Sequence, residues 1–533
     1  MKPRYQDLYF GMSDSRNEVS ENRENFVKSF VDLHGASQAI LEGRKFLVLG
    51  PKGTGKSALA WFLEASEMQG THLAFVRDAS SLPLAEVPRL QTGQSAGPER
   101  TVVAWKFILL CNYLELLLRD QGCSLQRNHE VMRVAKLLRD FGFMGDASGR
   151  ALVKASSTTI EIPVPKMGSI YKRESKSAIN IYNLIPYLES WVSSAEAEIR
   201  HVLMIDGLDS IYLNDAQYDE SLSSLVQAAY SINQKLREHA ASGSVVLLLR
   251  NDVSLGSRSR SQTRRRCVTI CRSTWTGESC LGQVGRRLRS CSSSIRRPQK
   301  QQVLSPWIFS PTSLPTIEVG TRGNNPKQIP TFQYLLNMTR HTPRDLLRIF
   351  EEIRKVEESG VYAESRDSLS AEVIHEGVLR YSTKYFVGAI SNEFAGYRGG
   401  PESASRALTA LKTIGKQTFD AQEFRKALDA MDPPAESEFE QLLRLLFYAG
   451  AIGNYVAHRD ESYMQFYHRR DDSEIYLKGS FVLHHALIHA WGMRRTQSRD
   501  SGPSERPRGP TTVSEEPESS ANARRARGVV TLK

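Results

Sequence analysis

The stretch Gly50-Pro51-Lys52-Gly53-Thr54-Gly55-Lys56-Ser57 constrains this chain more than any other. It fits G-x-x-x-x-G-K-[ST] and directly follows the apolar run Phe46 to Leu49. Strand, glycine loop and helix start come in the order a phosphate cradle requires. Glycines let backbone N–H groups turn inward around phosphate oxygens, and the helix that follows presents the positive end of its dipole. On this reading residues Gly50 to Ala58 wrap the phosphates, Lys56 reaches the β- and γ-phosphates, and Ser57 ligates Mg²⁺.

A partner motif lies about 150 residues on. His201-Val202-Leu203-Met204-Ile205-Asp206-Gly207-Leu208-Asp209 reads as a strand that is apolar without alternation and then ends in two acids. Continuous apolarity fits a central parallel strand covered on both faces, and ligands gather at the carboxyl ends of such strands. Asp206 is the candidate for holding Mg²⁺ through its water shell, and Asp209 for orienting an attacking water. Lys56, Asp206 and Asp209 are the candidate catalytic residues. The fold class that follows is α/β, with a P-loop parallel sheet.

The net charge of +11 invites a nucleic-acid reading, and its distribution undoes most of that inference. Residues 254 to 300 hold eleven Arg and Lys300 against one acid, Glu278, and the rest of the chain carries equal numbers of basic and acidic side chains. The same segment has Cys267, Cys271, Cys280 and Cys291 without C-x₂-C pairing or a nearby His, which speaks against a zinc site. No hydrophobic period runs through residues 254 to 312, although well-patterned elements flank them. With free codon choice, Gln262 to Gly277 can be reread in another frame as a protein-like string ending V-D-L-D-W. The segment therefore reads as translated out of frame, and the strand expected beside the phosphate-loop strand would then be missing. A basic disordered insert and an arginine-rich RNA-binding loop are the alternatives.

Several elements frame these motifs. Residues 1–45 read as a polar start and an amphipathic helix over Glu24 to Leu41, and Leu73 to Val76 as a second strand. Residues 46–253 form the P-loop core with a helical insertion, whose stripes Trp105, Phe107, Leu110, Leu114, Leu117 and Ile181, Leu184, Leu188, Trp191 read as core. A hairpin is expected over Thr158 to Val164. Helix Leu222 to His239 leads to strand Ser244 to Leu249, whose tip offers Arg250 or Asn251 to a γ-phosphate.

Residues 313–400 read as a helical lid and connector. Pro343 and Asp345 suit the first turn of a helix, which would present Arg344 to the nucleotide. Residues 401–492 read as a winged helix with helices Leu408–Ile414, Phe419–Met431 and Phe439–Tyr448 and wing strands Ile452–Val456 and Tyr463–His468. Its third helix opens with Glu436, Glu438 and Glu440, and the domain has ten basic against thirteen acidic residues, so protein contact or intramolecular packing is favoured over DNA. His484, His485 and His489 fall on a last helix and read as satisfied or exposed side chains rather than ligands. Residues 493–533 read as a disordered tail.

In this order, the phosphate loop, D-G-L-D strand, strand-end Arg-Asn, T-P-R-D helix and C-terminal winged helix resemble bacterial P-loop ATPases of the additional-strand class, AAA+ and STAND-like. More narrowly, Phe10-Gly11-Met12-Ser13-Asp14 is similar to the F-G-x-x-D/E opening of a family whose biology is undefined. The resemblance implies ATP and Mg²⁺ as cofactors, ATP-driven conformational change, and a role in regulation or conflict with phage. STAND ATPases often carry an acid after the second Asp, where this chain has Ser210, which implies slow hydrolysis. The expected protein is thus a nucleotide-dependent switch with an unidentified protein partner and a capacity to self-assemble. A DNA-associated ATPase and a non-catalytic product of a disrupted frame are the alternatives. With no apolar leader and no run near the roughly 20 residues that span a bilayer, a cytoplasmic location is expected.

Overall fold

A computed structural model describes residues 10–32, 35–66, 70–82, 98–140, 143–145, 181–208, 216–250, 267–269, 316–319, 327–361, 369–394, 400–431, 433–457, 462–469 and 473–493. The expected hairpin at 158–164, Asp209, Asn251, most of residues 254–312 and the tail after 493 lie outside them.

Helix α1 (Ser15–Ser29) starts on the Asp14 carboxylate, which accepts from the Arg16 and Asn17 amides. A second helix, α2 (Ala36–Leu41), starts where the Asp32 carboxylate accepts from the Ala36 and Ser37 amides, each at 2.8 Å. The single helix expected over Glu24 to Leu41 is therefore two. The chain becomes extended at Phe30 and left-handed at Gly35, where no helix can continue.

The first half of the chain builds one parallel sheet from β1 (Leu47–Leu49), β2 (His72–Asp78), β3 (Arg200–Asp206), β4 (Gly243–Leu249) and β5 (Cys267–Thr269), in the order β2-β3-β4-β1-β5. Strand β4 stands between β1, which leads into the glycine loop, and β3, which ends in Asp206. His201 to Ile205 and Ser244 to Leu249 are buried throughout, as expected for strands covered on both faces. The edge beside β1 is not empty. Cys267–Thr269, inside the anomalous segment, pairs with it in parallel, which corrects the expectation of a missing edge strand.

Helices cover both faces of this sheet. Helix α3 (Lys56–Ala65) follows the glycine loop. The long α4 (Pro98–Leu117) and α7 (Ala216–Glu238) pack together, with α5 (His129–Asp140) and α6 (Ile181–Ser193) around them. The first stripe is core throughout, and in the second Leu184 and Leu188 are buried with Trp191 half-buried against the same cluster; the Trp105 indole donates to Ser221 Oγ at 3.1 Å.

The second half contains a two-stranded antiparallel pair, β6 (Thr316–Val319) and β7 (Lys327–Pro330), and then α8 (Thr331–Asn337), α9 (Pro343–Glu358) and α10 (Ala371–Tyr381). A π-helical turn over Ser382–Phe386 runs on into α11 (Val387–Glu393). Next come α12 (Gly400–Ile414), β8 (Thr418–Asp420), α13 (Ala421–Asp429), α14 (Glu436–Ala449), β9 (Ile452–Ala457), β10 (Ser462–Gln465), β11 (Ser480–Leu483) and α15 (His485–Ala490). The strands form an antiparallel sheet ordered β10-β9-β11-β8. One continuous apolar cluster runs from Phe332 to Ile488 and takes in Phe10, which stacks on Phe350 of α9 at 4.9 Å. The helices after β7 and the C-terminal sheet therefore share a single core.

Two close contacts hold this half together. At the crossing of α9 and α10, a Cβ at Gly377 would lie 2.7 Å from Ile353 Cα, so the helices touch backbone to backbone there. Gly377→Ala is expected to destabilise the chain by about 1–3 kcal/mol, read as a lowered denaturation midpoint, because the obstructing atom belongs to the backbone and cannot swing away.

The second contact is His484, which caps α15 instead of lying within it, a departure from its expected place on the helix. Its Nδ1 accepts from the Ala486 amide at 3.2 Å, and its Nε2 faces the Thr339 carbonyl at 3.2 Å. Only the neutral ring, with its proton on Nε2, makes both bonds. Burial, reinforced by His485 and Arg469, holds this imidazole well below its ordinary range. A folded value below the unfolded one means that the unfolded chain takes up the proton first. The contribution is therefore complete above the ordinary histidine value of about 6.5 and is lost as pH falls below it. Thermal melts of the wild type should lose stability below that pH more steeply than melts of His484→Gln.

Candidate functional site

The glycine loop joins β1 to α3 in the shape its sequence requires. Gly53 has φ +80 and Gly55 φ +99, both in the region open to glycine. The Gly50 amide is tied back to the Leu249 carbonyl at 3.2 Å, and Thr54 Oγ1 donates to the Pro51 carbonyl at 2.8 Å. Lys56, largely buried, donates to the carbonyls of Gly50 at 2.9 Å and Pro51 at 3.1 Å. The lysine thus lies folded over its own loop, with its charge at the loop's centre.

A cavity of about 220 Å³ opens above the loop. Lys56, Ser57 and Ala58 line it together with Asp206 from the end of β3, so the two sequence motifs meet although about 150 residues separate them. Asp206 also has a neighbour that the sequence reading did not single out. Asp78, at the end of β2, is its register partner, and its carboxylate lies against Gly207, where a Cβ would be 3.3 Å from Oδ1. The signal was present in the polar end of the strand Leu73 to Val76, but only the pairing of β2 with β3 gives it meaning.

The opposite wall comes from α9. Thr342 caps this helix by accepting from the Asp345 amide at 3.2 Å, with Pro343 in its first turn. The Arg344 amide reaches the Gly53 carbonyl at 3.5 Å, and a Cβ on Gly53 would lie 3.2 Å from Thr342 Oγ1 and 3.3 Å from Arg344 Cβ. Gly53 is therefore demanded twice, by its φ and by the helix docked on it. Arg344, the arginine expected to face a nucleotide, lines the cavity.

A third wall comes from the N-terminal segment, where Met12, Ser13, Ser15 and the buried Glu18 line the same cavity. Glu18 Oε2 accepts from the Met12 amide at 3.1 Å, which folds the opening F-G-M-S-D back over the loop. The sequence reading matched that opening without placing it at the site. The Asp14-Ser15 helix cap was the available signal.

Arg250 stands elsewhere. It does not line the cavity, and its Nη2 pairs with Glu393 of α11 at 2.7 Å, both side chains being buried. Glu393 also takes Arg340 Nη1 at 3.0 Å. Arg340 in turn forks onto Asp345 through Nε at 2.9 Å and Nη2 at 3.0 Å. Burial opposes the charge on Arg340, and Asp345 and Glu393 together outweigh it, so the guanidinium is held firmly protonated. Asp345→Asn, which withdraws one of the two buried counter-charges of Arg340, is expected to cost about 3–5 kcal/mol in chemical denaturation, against about 1 kcal/mol for loss of the cap in Thr342→Ala.

The chain matches no family model and no curated protein. Among solved structures it is similar to the Walker-type ATPase of Pyrococcus abyssi, at 10% identity over 92% of this chain and 99% of that one, with a TM-score of 0.36. Among the described residues, no helix is long and apolar enough to cross a membrane, and no group of three or more His, Cys, Asp or Glu side chains forms a metal site.

Proposed function

We propose that the chain is a P-loop ATPase that binds Mg-ATP and works as a nucleotide-operated switch. The observation that carries this reading is the convergence of Lys56, Ser57, Asp206 and Arg344 on one cavity above a glycine loop at the carboxyl edge of a parallel sheet. Three cationic side chains, Lys52, Lys56 and Arg344, suit a triphosphate, and Ser57 with Asp206 supplies the hard oxygen donors that Mg²⁺ prefers. Bound there, Mg²⁺ would neutralise charge developing between the β- and γ-phosphates. Asp209 remains the proposed carboxylate for the attacking water, and Asp78 lies beside Asp206 as a second carboxylate on the same edge.

The switch follows from how α9 is mounted. Its first turn rests on the phosphate loop, while its body lies in the same apolar cluster as the C-terminal sheet. A nucleotide that draws Arg344 inward would move both together. In this reading Arg250 takes part indirectly, through Glu393, by joining the tip of β4 to the start of α9. Helices α12, α13 and α14 with strands β8 to β11 are proposed to be a winged helix that reports the state to a protein partner. Glu436 and Glu440 sit exposed on α14, where a DNA-reading helix would need to meet phosphates.

Lys56→Ala is expected to abolish the rise in melting temperature that Mg-ATP gives the wild type, and Asp206→Asn to slow any hydrolysis at least about tenfold. Full stabilisation of Lys56→Ala by Mg-ATP would overturn the reading. A shift of labelled duplex at low salt would favour the DNA-associated alternative instead.

A further inference from the structure

On the far side of Lys52 and Gly53 lies a second, larger cavity of about 400 Å³ that contains none of Lys56, Ser57 or Asp206. Its walls bring together Lys52, Arg344, Arg348, Lys384, Tyr385 and Asn392. Such a volume falls within the range of small-molecule sites.

The charges in this chamber are not equivalent. Arg340, which reaches its floor, is already neutralised by Asp345 and Glu393. Arg348 is paired with Glu351 at 3.0 Å. Arg344 and Lys384 make no ion pair among the described residues. Among the described residues, the one carboxylate in the lining is Asp14, whose Oδ1 is engaged as the cap of α1. The chamber is therefore strongly cationic, and its excess lies on the two side chains without a partner.

The backbone is shaped to the same end. The π-helical turn Ser382–Phe386 interrupts an otherwise α-helical run, and it brings the sequence neighbours Lys384 and Tyr385 to the same chamber. Insertions of this kind concentrate at functional positions. The Tyr385 hydroxyl donates to Asp345 Oδ1 at 3.2 Å, which fixes the ring, and the Arg348 guanidinium lies 5.7 Å from its centroid. One turn on, Gly388 keeps the wall bare, since a Cβ there would meet no atom within 4 Å.

We propose that this chamber is a second anion site, which takes a small phosphate-bearing molecule with Arg344 and Lys384 as its contact cations and Asn392 as an amide donor. The proposal goes beyond the nucleotide reading, because the site would hold its ligand without the phosphate loop's lysine. The two sites share Arg344, so a ligand in one draws on the side chain that closes the other. Occupancy of the second chamber would thereby be felt in the affinity of the first.

The test uses the full chain carrying Lys56→Ala and titrates inorganic pyrophosphate by calorimetry at low salt. The Lys56→Ala chain should bind pyrophosphate. Adding Lys384→Glu should weaken that binding at least about tenfold, as expected for loss and reversal of one charge-assisted contact, and adding Lys384→Arg should restore it. Lys384 is exposed, so unchanged melting temperatures should accompany the loss. No pyrophosphate binding by Lys56→Ala, or equal binding with and without Lys384→Glu, overturns the proposal. Mg-ATP stabilisation of the wild type is measured separately. Its failure beside intact pyrophosphate binding would remove the nucleotide reading and leave the second site standing.

Discussion

The buried chain of charges Arg250, Glu393, Arg340 and Asp345 is the interaction on which the relative placement of everything else depends. Its members come from the tip of β4, from α11 and from the turn and first residues of α9. Each is buried, so none can be solvated if its partner is withdrawn. Pairs of this type contribute little net stability over an apolar core, but they penalise any arrangement in which one partner is missing. The result is a joint that disfavours arrangements in which a pair is broken. In it the start of α9 rests on Gly53, and Arg344 lines the cavity over the glycine loop.

From this joint, two cavities with different chemistry share a wall. The smaller one contains the loop lysine, the serine and the strand-end aspartate, and the larger one contains Lys384, Tyr385 and Asn392. Arg344, Lys52 and Gly53 line both. Asp345 serves both sides as well, anchoring Arg340 through its oxygens and fixing Tyr385 through the same carboxylate. A side chain placed between two polar chambers, on a helix whose other end is embedded in the C-terminal core, is well placed to carry a signal. Phe10 stacked on Phe350 and Glu18 at the loop bring the N-terminal segment into the same joint.

The motifs were legible because their chemistry fixes local residue types. Glycine at 53 and 55, a lysine and a hydroxyl at the helix start, and a solid apolar run ending in Asp206 each state their geometry without reference to distant residues. Thr342, Pro343 and Asp345 likewise announced a helix start. What misled was equally local. Apolar spacing ran across Phe30 and Gly35 as if one helix continued, and the extended and left-handed backbone there made two. His484 fell in register with a helical face, yet it caps the helix and enters the core.

The sequence by itself determined the glycine loop, the acidic strand and the helix start at Pro343, because loops, buried strands and caps are decided by neighbours in the chain. Only the tertiary structure decided that Asp78 stands beside Asp206, that Arg250 turns to Glu393, and that Lys384 joins Arg344 around a second cavity. The reason is physical. Strand order, the pairing of buried charges and the meeting of two helix surfaces depend on contacts across tens to hundreds of residues. No local periodicity records which carboxylate will neutralise which guanidinium once water has been excluded from both.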